Sequence, residues 1–144
     1  MVKFELTDRQ YELIDDRTRF LLITGSAGSG KTIFACFKVI LYAVNHPHAR
    51  IGVFRSTLPA LRETAMLEIR EMLIKLGIEF EENKSNAIIT LSNKATISFT
   101  PLDDDKKIRS LNLDYVFVEQ CEEVSEEIFD ELALRVRGEV SLES

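Results

Sequence analysis

The chain has 144 residues, 45% of them hydrophobic and 29% charged, enough for one globular unit with its own core and little besides. Its formal net charge of −6 excludes a molecule that is attracted as a whole to nucleic acid or to an anionic membrane, so any DNA contact has to come from a local patch or an assembled ring. The longest apolar run, Ile33 to Val44, contains Lys38 and falls short of the ~20 residues a membrane span requires, and Met1 to Asp16 is polar and acidic, unlike a secretory leader.

In chain order, Thr7 precedes a short amphipathic helix in which Leu13 and Ile14 follow Gln10 by three and four. Gln10 has two readings: an amide that reads an adenine edge, since it can donate and accept at once, or a solvated surface residue. The apolar run Phe20-Leu-Leu-Ile-Thr24 then predicts a strand. Directly after it come Gly25, Ser26, Ala27, Gly28, Ser29, Gly30, Lys31 and Thr32, spaced as G-x-x-x-x-G-K-[ST]. That spacing makes a phosphate-binding loop, because the glycines let successive N–H groups turn inward at a helix N-terminus and form an anion nest. Lys31 would reach the terminal phosphates of a nucleotide such as ATP, and the Thr32 hydroxyl would face Mg²⁺, which takes oxygen ligands and keeps several waters.

Ile33 to Val44 is apolar nearly all round, as in a helix buried on most faces, and Asn45-His-Pro-His ends it. His46 and His48 flank Pro47 in that turn and are assigned no chemistry. Cys36 and Cys121 have neither C-x-x-C spacing nor partner histidines and read as reduced thiols. A second buried strand, Ala49 to Arg55, puts an arginine at the sheet edge where α/β proteins bind ligands. Thr57-Leu-Pro59 opens another helix, along which Leu61, Ala65, Ile69, Met72, Leu73 and Leu76 recur at helical spacing until Gly77 stops it. Its charged face, with Arg62, Glu63, Glu68, Arg70, Glu71 and Lys75, reads as solvated surface.

From Phe80 the period changes. Ala87 to Leu91 and Ala95 to Phe99, separated by Ser92-Asn-Lys94, predict an antiparallel hairpin that is inserted in, or extends the edge of, a mostly parallel sheet. A charged loop, Pro101 to Ser110, follows. Leu113-Asp-Tyr-Val-Phe-Val118 then predicts a strand buried on both faces, ending in Glu119-Gln120-Cys121-Glu122-Glu123. Its terminal carboxylate would emerge beside the phosphate loop, where Glu119 would hold Mg²⁺ and a following side chain would orient or deprotonate the attacking water. Ser125 caps a last helix, with Ile128, Phe129 and Leu132 on its core face.

These residues together resemble the ATPase portion of a tailed-phage terminase large subunit: the loop Gly25 to Thr32, then Phe54-Arg55-Ser-Thr-Leu-Pro-Ala-Leu-Arg62-Glu-Thr, the hairpin ending Ile97-Ser-Phe99, then Ile108-Arg-Ser110, Val116-Phe-Val-Glu119-Gln-Cys-Glu-Glu123 and Leu134-Arg-Val-Arg137-Gly. The resemblance implies a P-loop NTPase of the additional-strand type, with ATP and Mg²⁺ as cofactors, that drives double-stranded DNA into a procapsid in the cytoplasm of an infected bacterium. It implies as partners the terminase small subunit, the portal protein, and a continuation or second chain carrying the rest of the ATPase and a nuclease domain. Two departures stand out. The family usually has two adjacent acids at the Walker B end, whereas Gln120 follows Glu119 here and can position a water but not accept its proton; Glu123 or Glu122 is the alternative source of a carboxylate. Residues 1–144 would also be only the N-terminal part of such a domain, without the coupling-motif strand that inserts between the P-loop and Walker B strands, so a gap in the sheet and an aggregating hydrophobic edge are expected there. With no arginine in the phosphate loop, Arg55 is the candidate to stabilise the transferring phosphate in cis, and Arg109 the weaker candidate in trans. The competing readings are a helicase-like ATPase and a nucleotide-binding fragment without turnover.

Overall fold

The computed structural model describes residues 20–23, 31–102, 108, 111–119, 125, 127–128, 130 and 142–143. Its strands are β1 (Phe20–Ile23), β2 (Arg50–Arg55), β3 (Phe80–Asn83), β4 (Ile88–Leu91), β5 (Thr96–Pro101), β6 (Tyr115–Glu119) and β7 (Leu142–Glu143), made by short apolar and β-branched runs except in the polar β3 and the two-residue β7. Among the described residues they form one sheet in the order β3-β4-β5-β2-β6-β1-β7. The pairs β5–β2, β2–β6, β6–β1 and β1–β7 are parallel, and β3–β4 and β4–β5 are antiparallel. The expected hairpin is therefore β4–β5, with Thr90 opposite Thr96, and it extends one edge of a mostly parallel sheet, with β3 added outside it.

Successive residues of the central strands face opposite sides, and each side has its own core. Ile51 and Val53 of β2 and Tyr115 and Phe117 of β6 pack with Cys36, Val39 and Ile40 of α1 (Lys31–Asn45) and with Ile69 and Leu73 of α3 (Ala65–Lys75). Phe54, Val116 and Val118 face the other way, onto Leu102, Ile108 and Leu113. Covering both faces is what lets β6 be apolar at four consecutive positions, all of them buried. Among the described residues no helix is long and apolar enough to cross a membrane.

Three expectations are corrected. The P-loop and Walker B strands are not separated by a gap: β1 and β6 pair directly, Phe20 with Val116 through Ile23 with Glu119. Direct pairing satisfies the backbone groups that an empty slot would leave buried and unbonded, each at a cost of roughly 1–3 kcal/mol. The helix expected from Thr57 to Leu76 is two, α2 (Leu58–Glu63) and α3, broken at Thr64 (φ −120°, ψ −94°). Its ends follow the sequence. Thr57 caps the start, its hydroxyl accepting from Ala60 N–H at 3.3 Å. At the finish Gly77, with φ +69°, closes a Schellman turn in which its N–H donates to Ile74 and that of Ile78 to Leu73. The charged face of α3 is not plain surface either. Arg70 grips Glu82 of β3 with two nitrogens, Nε at 2.5 Å and Nη2 at 3.0 Å, which ties the helix to the edge of the sheet. That bond also raises the guanidinium pKa above its ordinary value.

Candidate nucleotide-binding site

Parallel pairing brings the C-terminal ends of β1, β2, β5 and β6 to one edge of the sheet. Ile23, the last residue of β1, is in register with Glu119, the last of β6, and α1 begins at Lys31. Between Ile23 and Lys31 the chain thus passes from a strand to a helix, and Glu119 ends the strand paired with the first, the order a phosphate loop needs. Lys31 and Thr32 form the opening of α1. Gln10, Gly25 to Gly30, Arg109, Gln120, Glu122 and Glu123 lie outside the described residues.

Arg55 ends β2 one strand away, and the structure brings it to Glu119. Its Nη1 lies 3.1 Å from Oε1 of the carboxylate, with the two side chains 17% and 2% exposed. Arg55 is thus held in an ion pair with the strand-end carboxylate.

A third residue joins them. The Thr64 hydroxyl contacts the same Glu119 Oε1, lies 3.3 Å from Arg55 Nη1, and stands 2.7 Å from the carbonyl of Ala60. Its single proton cannot serve the carboxylate and the carbonyl fully at once, and the charged carboxylate is the stronger acceptor. Arg55 therefore donates to Thr64 and to Glu119, and Thr64 donates to Glu119. Sequence reasoning passed over Thr64 as one more residue of a continuous helix. The signal was a β-branched hydroxyl residue in a helix interior, where such side chains compete with the backbone for hydrogen bonds.

The other oxygen, Glu119 Oε2, is buried and has no hydrogen-bond partner among the described residues. A buried carboxylate oxygen left in this condition costs free energy, and a hard cation or its bound water removes that cost. The residue thus fits the Mg²⁺ expected beside a nucleotide, which takes one or two carboxylates plus phosphate oxygens rather than an all-protein cage. No cluster of three or more His, Cys, Asp or Glu side chains suited to a metal occurs among the described residues.

Below the site, Cys36 sits in α1 one turn after Thr32, with its sulfur 3.9 Å from the Ala65 carbonyl at the start of α3. Burial pushes its thiol pKa well up, and the negative charges of Glu119 and Glu68 add to the shift. It is a buried packing residue outside any disulfide, and Cys121 lies outside the described residues.

The profile of the phage terminase large subunit family matches residues 17–143. The chain belongs to that family. It is 25% identical over 127 residues to the PBSX phage terminase large subunit of Bacillus subtilis strain 168, an alignment covering 82% of this chain and 28% of the relative. In fold it matches the large terminase of a thermophilic bacteriophage with a TM-score of 0.79 at 17% identity, covering 96% of this chain and 38% of that one. The same large terminase in complex with ADP gives 0.79 at 16% identity over 96% and 38%. The large terminase ATPase domain of Thermus phage P74-26 gives 0.74 at 13% identity, covering 96% of this chain and 64% of that domain. The terminase chain described here therefore spans about a quarter to two-fifths of the length of the PBSX subunit and of the thermophilic bacteriophage's large terminase. The mixed α/β fold of a large terminase ATPase domain is confirmed.

Proposed function

We propose that this terminase chain binds ATP with Mg²⁺ at Gly25 to Thr32 and belongs to a motor that hydrolyses it to move double-stranded DNA into a procapsid, working with the terminase small subunit and the portal protein. The observation that carries the reading is the register of Ile23 with Glu119, which sets a buried carboxylate at the end of the strand next to the one that leads into the phosphate loop. The binding of ADP and ATP-γ-S by the thermophilic bacteriophage's large terminase supports a nucleotide at that edge. Bound Mg²⁺ would neutralise charge developing on the terminal phosphates. Glu119 would hold the cation or its water, Lys31 would contact the phosphates, and Gln120 would orient the attacking water, with Glu123 the candidate to take its proton. Arg55, already at the site, would supply positive charge to the transferring group.

The test is nucleotide affinity by calorimetry together with phosphate release. Lys31→Ala should lower ATP affinity at least ~10-fold, because it deletes the charge facing the phosphates. Unchanged affinity in a folded variant would remove the site from Gly25 to Thr32. The second reading, binding without turnover, is favoured by Gln120 in place of a second acid. It predicts tight nucleotide binding with no phosphate release, and a gain of hydrolysis in Gln120→Glu.

A further inference from the structure

The helix that sequence periodicity runs unbroken from Thr57 to Leu76 is interrupted at Thr64 alone, and Thr64 is the residue whose hydroxyl meets the Glu119 carboxylate. The interruption and the contact coincide. We propose that Thr64 is a positioning residue for the metal-binding carboxylate: it fixes Glu119 so that Oε1 is occupied within the protein and Oε2 is presented to the divalent cation of a bound nucleotide. This rests on the nucleotide-binding reading above.

The geometry carries the proposal in three steps. Both described donors to Glu119, Arg55 Nη1 and the Thr64 hydroxyl, converge on the same oxygen, while Oε2 is buried with no described partner. A glutamate carboxylate turns broadly about its last torsion, and one ion pair does not stop it; a second donor on the same oxygen, from a different element, does. Thr64 also accepts from Arg55, so its proton is directed away from the guanidinium and toward the carboxylate, and the three groups form one polarised chain. Its side chain is short and stiff at χ1, so its reach is set by the break between α2 and α3 rather than by its own flexibility. Partners that orient a metal ligand in this way typically change metal affinity by about 10–100-fold when removed.

Mn²⁺ serves as the probe, titrated by electron paramagnetic resonance into the 144-residue chain saturated with ADP, with ADP affinity measured separately in chelator. Thr64→Val, which keeps the shape and deletes the hydroxyl, should weaken Mn²⁺ binding about 10-fold or more and leave metal-free ADP affinity unchanged. Thr64→Ser, which restores the hydroxyl, should restore Mn²⁺ affinity. In a Glu119→Gln background Thr64→Val should have no further effect, because the residue acts through that carboxylate. Should Thr64→Val fail to fold by circular dichroism, Thr64→Ala carries the same expectation. Wild-type Mn²⁺ affinity in the variant lacking the hydroxyl, or an equal loss in Thr64→Ser, would overturn the proposal. Absence of ADP binding by the unmutated chain would instead remove the nucleotide reading and this one with it.

Discussion

Arg55 and Glu119 form a charge pair that sits almost out of water, and at this scale the cost of breaking it is set by what is left behind. Removing the guanidinium in Arg55→Ala leaves a carboxylate only 2% exposed with Thr64 as its one described donor. An uncompensated buried charge of this kind costs about 3 kcal/mol, so the urea midpoint of Arg55→Ala should fall accordingly. The deficit should shrink when Mg²⁺ and ADP are added, because a cation at Oε2 replaces the missing positive charge. A deficit of the same size with and without Mg²⁺ would mean that Glu119 is not a metal ligand. Both members of the pair were legible in the sequence as residues at strand ends, Arg55 after Phe54 and Glu119 after Val118. Their pairing was not, because it joins positions 64 apart and depends on which strands are neighbours.

The same limit shows in the elements. Local chemistry marked the ends correctly: Thr57 caps α2, Gly77 terminates α3, and Ser92 to Lys94 turn β4 into β5. Where the sequence misled, a tertiary contact had overridden a local pattern, as at Thr64, whose partner Glu119 lies 55 residues on, and at Arg70, which reads as surface until β3 brings Glu82 beneath it. Strand β2 holds a further constraint, invisible in its apolar pattern. A Cβ on Gly52 would lie 2.6 Å from Cε2 of the Phe54 ring and 2.8 Å from Cδ1 of Leu113, both within a close-packed face of the sheet. Gly52→Ala should therefore destabilise the chain by about 1–3 kcal/mol through overpacking, read as a lower urea midpoint with unchanged slope. Adding Phe54→Leu, which withdraws the ring, should make the alanine less costly than it is in the wild-type background. Independent, additive effects of the two changes would show that the alanine acts elsewhere.

At the scale of the molecule, the consequence of the β1–β6 ladder is a continuous sheet with its hydrophobic centre enclosed. The strands apolar on both sides, β2 and β6, each have a neighbour on either hand, and the edge beyond the hairpin is β3, where Glu81 and Asn83 are exposed. Acidic residues on a short edge strand discourage pairing with another chain, whereas an unfilled slot between β1 and β6 would have invited it. Sequence alone identified β1, β2, β4, β5 and β6 but neither β3 nor β7, and not the order of the strands, since a buried parallel strand reads the same whichever neighbour it has. The order changes the expected behaviour from a chain that aggregates through an open edge to one that unfolds cooperatively. Urea transitions followed by far-ultraviolet circular dichroism and by tyrosine fluorescence should then coincide. Native-state hydrogen exchange should be slowest in β2 and β6, whose opening requires the whole sheet to open, and fastest in the edge strands β3 and β7, which have one ladder each. Separate transitions by the two probes, or exchange in β6 as fast as in β3, would show that β1 and β6 are not held together in solution, and the carboxylate of Glu119 would then have no fixed place beside the end of β1.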